Sequence, residues 1–130
     1  MEAGYSGTPL ARKLGIEPGM RVALIGDAPD DLAGRLEGAV VVRRLSGRFE
    51  LILVFVRSRA QLDRRLPAVL AARGEGGSLW LAWPKRASGV ATDLDDTVVR
   101  ASGLASGLVD NKVCAIDKTW SGLRFVARRT

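Results

Sequence analysis

Apolar positions along the chain fall into two kinds of block. Nearly uninterrupted runs occur at 21–26 (RVALIG), 39–42 (AVVV), 50–56 (ELILVFV) and 78–84 (SLWLAWP). Runs of this length that do not alternate predict strands covered on both faces, the habit of a parallel sheet. Helical spacing fills the intervals. Thr8-Pro9 reads as an N-cap with proline at the first helical position, opening a short helix that Gly15 closes. A second short helix is predicted from Pro29 to Leu36, stopped near Gly38. Ser58 caps the longest one, SRAQLDRRLPAVLAAR, with Leu62, Leu66, Val69 and Leu70 along one face and Pro67 placed to kink it. Gly74, Gly76 and Gly77 are expected to end that helix. The last helix runs from about Asp93 to Ala105, with Thr92 and Asp95 as an approximate capping box. Alternation around 112–117 and 122–128 flanks Thr119-Trp120-Ser121-Gly122, a hairpin signal.

Strands alternating with helices up to a terminal hairpin predict an α/β layered fold. With right-handed crossovers the first four strands are parallel. The expected architecture is a Rossmann-like three-layer sandwich around a mostly parallel six-stranded sheet. Its order is 2-1-3-4-6-5, with one antiparallel strand in the C-terminal hairpin. The 130 residues make one α/β domain, 1–130, with 1–7 a flexible or extended N-terminal arm.

Composition narrows the chemistry. The chain has 1 Cys and 0 His. That excludes an internal disulfide, a cysteine-only zinc site, a His-ligated metal and an imidazole general base. Its longest apolar stretch, 51–56, is far short of the roughly 20 residues that span a bilayer. MEAGYSGTPLARK lacks the apolar core of a secretory signal, so a cytoplasmic protein without membrane attachment is expected. The net charge of +6 comes from 20 Lys+Arg against 14 Asp+Glu. The arginines are scattered and form no basic cluster, so the charge is read as solvated arginine, not as a nucleic-acid face. Cys114 sits in an apolar alternation and is expected to be a buried, inert thiol.

Two stretches carry a family likeness. LGIEPGMRV (14–22) resembles the approach to the first strand of class I S-adenosylmethionine-dependent methyltransferases, and GEGGSLWL (74–81) resembles the turn into their fifth strand. The expected sheet is similar to that fold with one middle strand-helix unit missing. Across nearly the whole chain, GYSGTPLARKLGIEPGMRVALIG, WPKRASGVATDL and GLVDNKVCAIDKTWSGLRFV resemble a family of short bacterial Rossmann-like proteins of unknown function. That likeness implies a fold and no chemistry.

Two departures from the methyltransferase pattern are visible. The turn after the first strand, Gly26-Asp27-Ala28-Pro29, has one glycine where the family has two or three. The second strand runs into Arg43 and Arg44, where the family has an acid accepting the ribose hydroxyls, and arginine accepts no hydrogen bond. DLDDTVV (93–99) also resembles the aspartate motif of haloacid-dehalogenase-type phosphatases. It follows a loop-like stretch, not an apolar strand, and too little chain follows it for the rest of that fold. A helix start explains its acids better.

Open α/β sheets hold ligands outside the carboxyl ends of their strands. Here those ends carry Gly26, Asp27, Arg43, Arg44, Arg57, Trp83, Lys85 and Arg86, the candidate ligand-binding residues. Guanidinium groups suit phosphate or carboxylate, or they simply splay into water. Trp83-Pro84 is either a rigid corner beside the crevice, with room for a cis bond, or a core aromatic closing the sheet. In the corner reading, Lys85 and Arg86 would contribute most to anion binding. Asp110, Asn111 and Lys112, with Asp117, Lys118 and Trp120, form a second polar group, read as hairpin and edge-strand polarity. No catalytic residue, cofactor or metal ligand is expected. The leading reading is a non-enzymatic binding or regulatory module for an anionic small ligand or a protein partner. The alternative is a diverged S-adenosylmethionine-dependent methyltransferase or other transferase.

Overall fold

A computed structural model describes residues 9–128; the expected arm at 1–7 and the cap at Thr8 lie outside them. Six strands make one sheet: β1 (Arg21–Gly26), β2 (Val40–Val42), β3 (Phe49–Phe55), β4 (Arg73–Pro84), β5 (Leu108–Ala115) and β6 (Trp120–Ala127). Their order is β2-β1-β3-β4-β6-β5. β2, β1, β3 and β4 pair in parallel, and β6 runs antiparallel to both of its neighbours. Among the described residues three α-helices accompany the sheet: α1 (Leu10–Leu14), α2 (Arg59–Ala72) and α3 (Asp96–Ala105).

Side chains alternate across the pleat and divide the core in two. Ala23, Ile25, Ile52, Val54, Leu79, Leu81 and Trp83 face α2 and α3, where Leu62, Val69 and Val99 meet them. Val22, Leu24, Leu51, Leu53, Phe55 and Trp80 face the other way, onto Leu10, Leu14, Leu32 and Leu36. β3 lies mid-sheet and contributes to both halves, which explains its unbroken apolar run. Each such side chain taken from water stabilises the fold by about 1.5–3 kcal/mol. The second face is thinly covered. Among the described residues, its helical cover is α1 and a 3₁₀ turn at Ala33–Arg35, where the sequence predicts a helix from Pro29 to Leu36. The indole N–H of Trp80 donates to the Leu14 carbonyl at 2.8 Å inside this layer, anchoring α1 to β4.

Other boundaries shift for identifiable reasons. α1 begins at Leu10, and Pro9 flanks it in an extended conformation instead of occupying the first helical position. α2 is capped as expected, Ser58 Oγ accepting from the Gln61 N–H at 3.2 Å, and it continues past Pro67 to Ala72. The glycines at 74–77 form no turn between helix and strand. β4 starts at Arg73, and its register against β3 jumps from Phe49↔Arg73 to Leu51↔Ser78, so those residues bulge out. α3 starts at Asp96, with Asp95 accepting from the Val98 N–H at 2.9 Å, so the cap is Asp95 and not Thr92. The hairpin turn precedes the expected one. Asp117 Oδ1 accepts from the N–H groups of Thr119 and Trp120, both at 2.8 Å, and Trp120 already belongs to β6. No peptide bond among the described residues is cis, Trp83–Pro84 included.

Candidate functional site

β1 and β3 are the strands between which the chain's direction of travel across the sheet reverses, and their carboxyl ends meet at Gly26. Gly26 has φ +88°, and a Cβ there would collide with the Phe55 carbonyl oxygen. Only glycine lets the two backbones close up this tightly. Asp27 follows at once. Its Oδ2 accepts from Arg57 Nε at 2.9 Å, both side chains about half exposed.

Arg57 is a junction, not a splayed cation. Its guanidinium stands over the Trp120 ring, 5.6 Å from the centroid, and that ring meets Phe55 edge-on at 5.0 Å. Its N–H donates to Gln61 Oε1 at 2.7 Å, and its carbonyl accepts from Thr92 Oγ1 at 2.6 Å. The Lys85 N–H donates to the Thr119 carbonyl at 2.8 Å, joining the end of β4 to the hairpin turn. The ends of β1, β3, β4 and the β5–β6 hairpin are thereby tied together.

Two open cavities flank this junction. The first, about 420 Å³, is lined by Ile25, Gly26, Asp27, Arg43, Arg44, Leu45 and Arg65. The second, about 380 Å³, lies along the 89–95 loop, with Trp83, Arg86, Thr92 and Asp93 in its wall. The candidate residues therefore separate. Gly26, Asp27, Arg43 and Arg44 share one cavity, Trp83 and Arg86 border the other, and Lys85 lines neither. Trp83 is buried in the α2–α3 core while its edge reaches the second cavity. Sequence reasoning missed Arg65 and Trp120 as partners of this region. Arg65 reads as one more charge on a solvated helix face. Trp120 reads as a turn residue until the hairpin is shifted.

Chemically, the first cavity offers hydrogen-bond donors. Arg43, Arg44 and Arg65 have no ion-pair partner among the described residues, while the carboxylate of Asp27 is held by Arg57. No group of three metal-ligating side chains occurs among the described residues. No helix among them is long and apolar enough to cross a membrane.

No family model matches the chain, and no curated protein matches it. Solved structures do. The N-methyltransferase NodS from Bradyrhizobium japonicum WM9, in complex with S-adenosyl-L-homocysteine, aligns with a TM-score of 0.57 at 14% identity, over 92% of this chain and 84% of that one. The magnesium protoporphyrin IX methyltransferase ChlM from Synechocystis PCC 6803, with bound SAM, gives 0.58 at 9%, over 85% and 71%. A putative methyltransferase from Pseudomonas syringae gives 0.53 at 17%, over 91% and 96%. The fold is methyltransferase-like. At these identities the likeness concerns the fold alone. Within this fold the turn leaving β1, Gly26-Asp27-Ala28-Pro29, holds one glycine, a 3₁₀ turn stands where the helix between β1 and β2 was expected, and arginines follow β2.

Proposed function

We propose that the protein binds a small anionic ligand in the crevice at the ends of β1 and β2, as a binding or regulatory domain on a methyltransferase-type frame. One observation carries this reading. Arg43, Arg44 and Arg65 border one cavity of about 420 Å³ whose single carboxylate, Asp27, is already engaged by Arg57. A volume of this order suits a small molecule. Charge-assisted guanidinium hydrogen bonds contribute roughly 1.5–3 kcal/mol each, enough to dominate the choice of ligand.

A second reading is a diverged S-adenosylmethionine-dependent methyltransferase or other transferase. The solved structures that share the fold are methyltransferases, and on the comparisons this reading is better supported than a non-enzymatic module. Against it stand the single glycine after β1 and the donors, not acceptors, after β2.

Calorimetric titration with pyrophosphate, S-adenosylmethionine and S-adenosylhomocysteine separates the two. The anion reading expects pyrophosphate binding that disappears in the Arg43→Ala/Arg44→Ala double variant. Micromolar binding of either sulfur ligand, unchanged in that variant, moves the conclusion to the transferase. Absence of pyrophosphate binding overturns the first reading.

A further inference from the structure

The crevice does not end at the arginines. A third cavity, about 300 Å³, is lined by Ile25, Leu45, Ala68 and Val69 with Arg64 and Arg65, so it shares Ile25, Leu45 and Arg65 with the first. The two form a bent groove, cationic at the strand ends and apolar along α2.

The topology explains why the groove exists. β2 and β3 lie on opposite sides of β1 and run parallel, so the chain joining them must cross β1. It does so without a helix. Residues 43–48 cross as an irregular segment, and Leu45 packs on the α2–α3 half of the core. A single irregular run of backbone is narrower than the roughly 10 Å of a helix. The space beside it, up to α2, is left open between Leu45 and Ala68, with buried Ile25 and Val69 at its floor.

We propose that this groove takes an organic phosphomonoester with a flat ring body, such as a nucleoside monophosphate, whose ring stacks on the apolar wall. The phosphate sits among Arg43, Arg44 and Arg65, and the body lies between Leu45 and Ala68 on α2. Charge selects the head group. Three guanidinium groups without carboxylate partners face a dianion, and arginine's planar fork matches phosphate oxygens two at a time. Shape selects the body. Ala68 is the small side chain in the α2 wall, and anything larger there narrows the slot between helix and crossover. Arg65 stands at the bend and borders both halves. The ligand therefore leaves the strand ends along α2, away from the Asp27–Arg57 pair and the Trp120 ring.

This assignment rests on the anion reading of the crevice, and its test keeps the two apart. AMP, adenosine and pyrophosphate are titrated calorimetrically into the wild-type chain and into Arg65→Ala and Ala68→Phe. Both substitutions lie on the exposed side of α2, so thermal melting should confirm folded variants. AMP is expected to bind more tightly than adenosine. Arg65→Ala should weaken AMP by about 10- to 100-fold, the loss of one charge-assisted contact. Ala68→Phe should abolish AMP binding while leaving pyrophosphate binding intact. If pyrophosphate binds through Arg43 and Arg44 but AMP is indifferent to Ala68→Phe and Arg65→Ala, the groove assignment is overturned and the crevice reading survives. If neither phosphate binds, both fall.

Discussion

Gly26 sets the closest approach at the site. With φ +88° and no room for a Cβ against Phe55, Gly26→Ala should destabilise the protein by about 2–4 kcal/mol, read from urea unfolding. Anion binding should fall with it, because the strand ends would be forced apart. Cys114 gives a second residue-scale test. Burial pushes its thiol pKa up, and Lys13 and Lys112 only partly oppose this. The folded chain therefore holds the thiol proton more tightly than the unfolded chain. The resulting stability is whole below the unfolded thiol's value of about 8.5 and declines as pH rises through the folded value. Disulfide-exchange reagents at neutral pH should label Cys114 far more slowly in the native protein than in urea. Equal rates would show the thiol to be open. Single residues were legible where topology alone locates them. Gly26, Asp27, Arg43 and Arg44 follow strands whose ends any parallel sheet brings together. Arg65 was not, because its place beside the cavity depends on a β2–β3 crossover without a helix, an absence that leaves no mark at position 65.

α2 carries a proline in its interior. Pro67 has no N–H to give to the carbonyl one turn earlier, and its side chain is exposed. Pro67→Ala should restore that bond and raise stability by about 1–3 kcal/mol, visible as a higher Tm. A lower Tm would mean that the proline shapes the groove wall. Elements with strong periodicity were readable from the chain: all six strands and the long helix appear, although β4 begins at Arg73 and β5 at Leu108, several residues ahead of the expected runs. The helix expected at 29–36 does not form, and the reason is local. Gly34 interrupts it, and only Leu32 and Leu36 offer a face to bury, too little to offset the cost of nucleating a short helix. The glycines at 74–77 misled in the other direction, since a bulge and a helix terminus use the same residue.

At the scale of the molecule, the sheet order could be reasoned out because right-handed crossovers leave few alternatives. The uneven thickness of the two covering layers could not, since it depends on how much of each connection becomes helix. The overall charge of +6 is spread across the surface and tests separately from the crevice. Neither single- nor double-stranded oligonucleotides should be retarded at about 50 mM salt, where counterion-release binding is strong. Retardation that weakens steeply with salt would add a nucleic-acid partner.

The bond from the Trp80 indole to Leu14 turns this unevenness into something observable. Its proton is buried between a five-residue helix and the centre of the sheet, and it reaches solvent only when that helix lifts away. A helix so short has little cooperativity of its own, so it should open as an independent unit at a free energy well below that of global unfolding. In deuterium exchange followed by NMR, the Trp80 indole signal should decay much faster than the amides of β3, although both are equally inaccessible in the static fold. Loss at the same rate would mean that α1 and the sheet rise and fall as one.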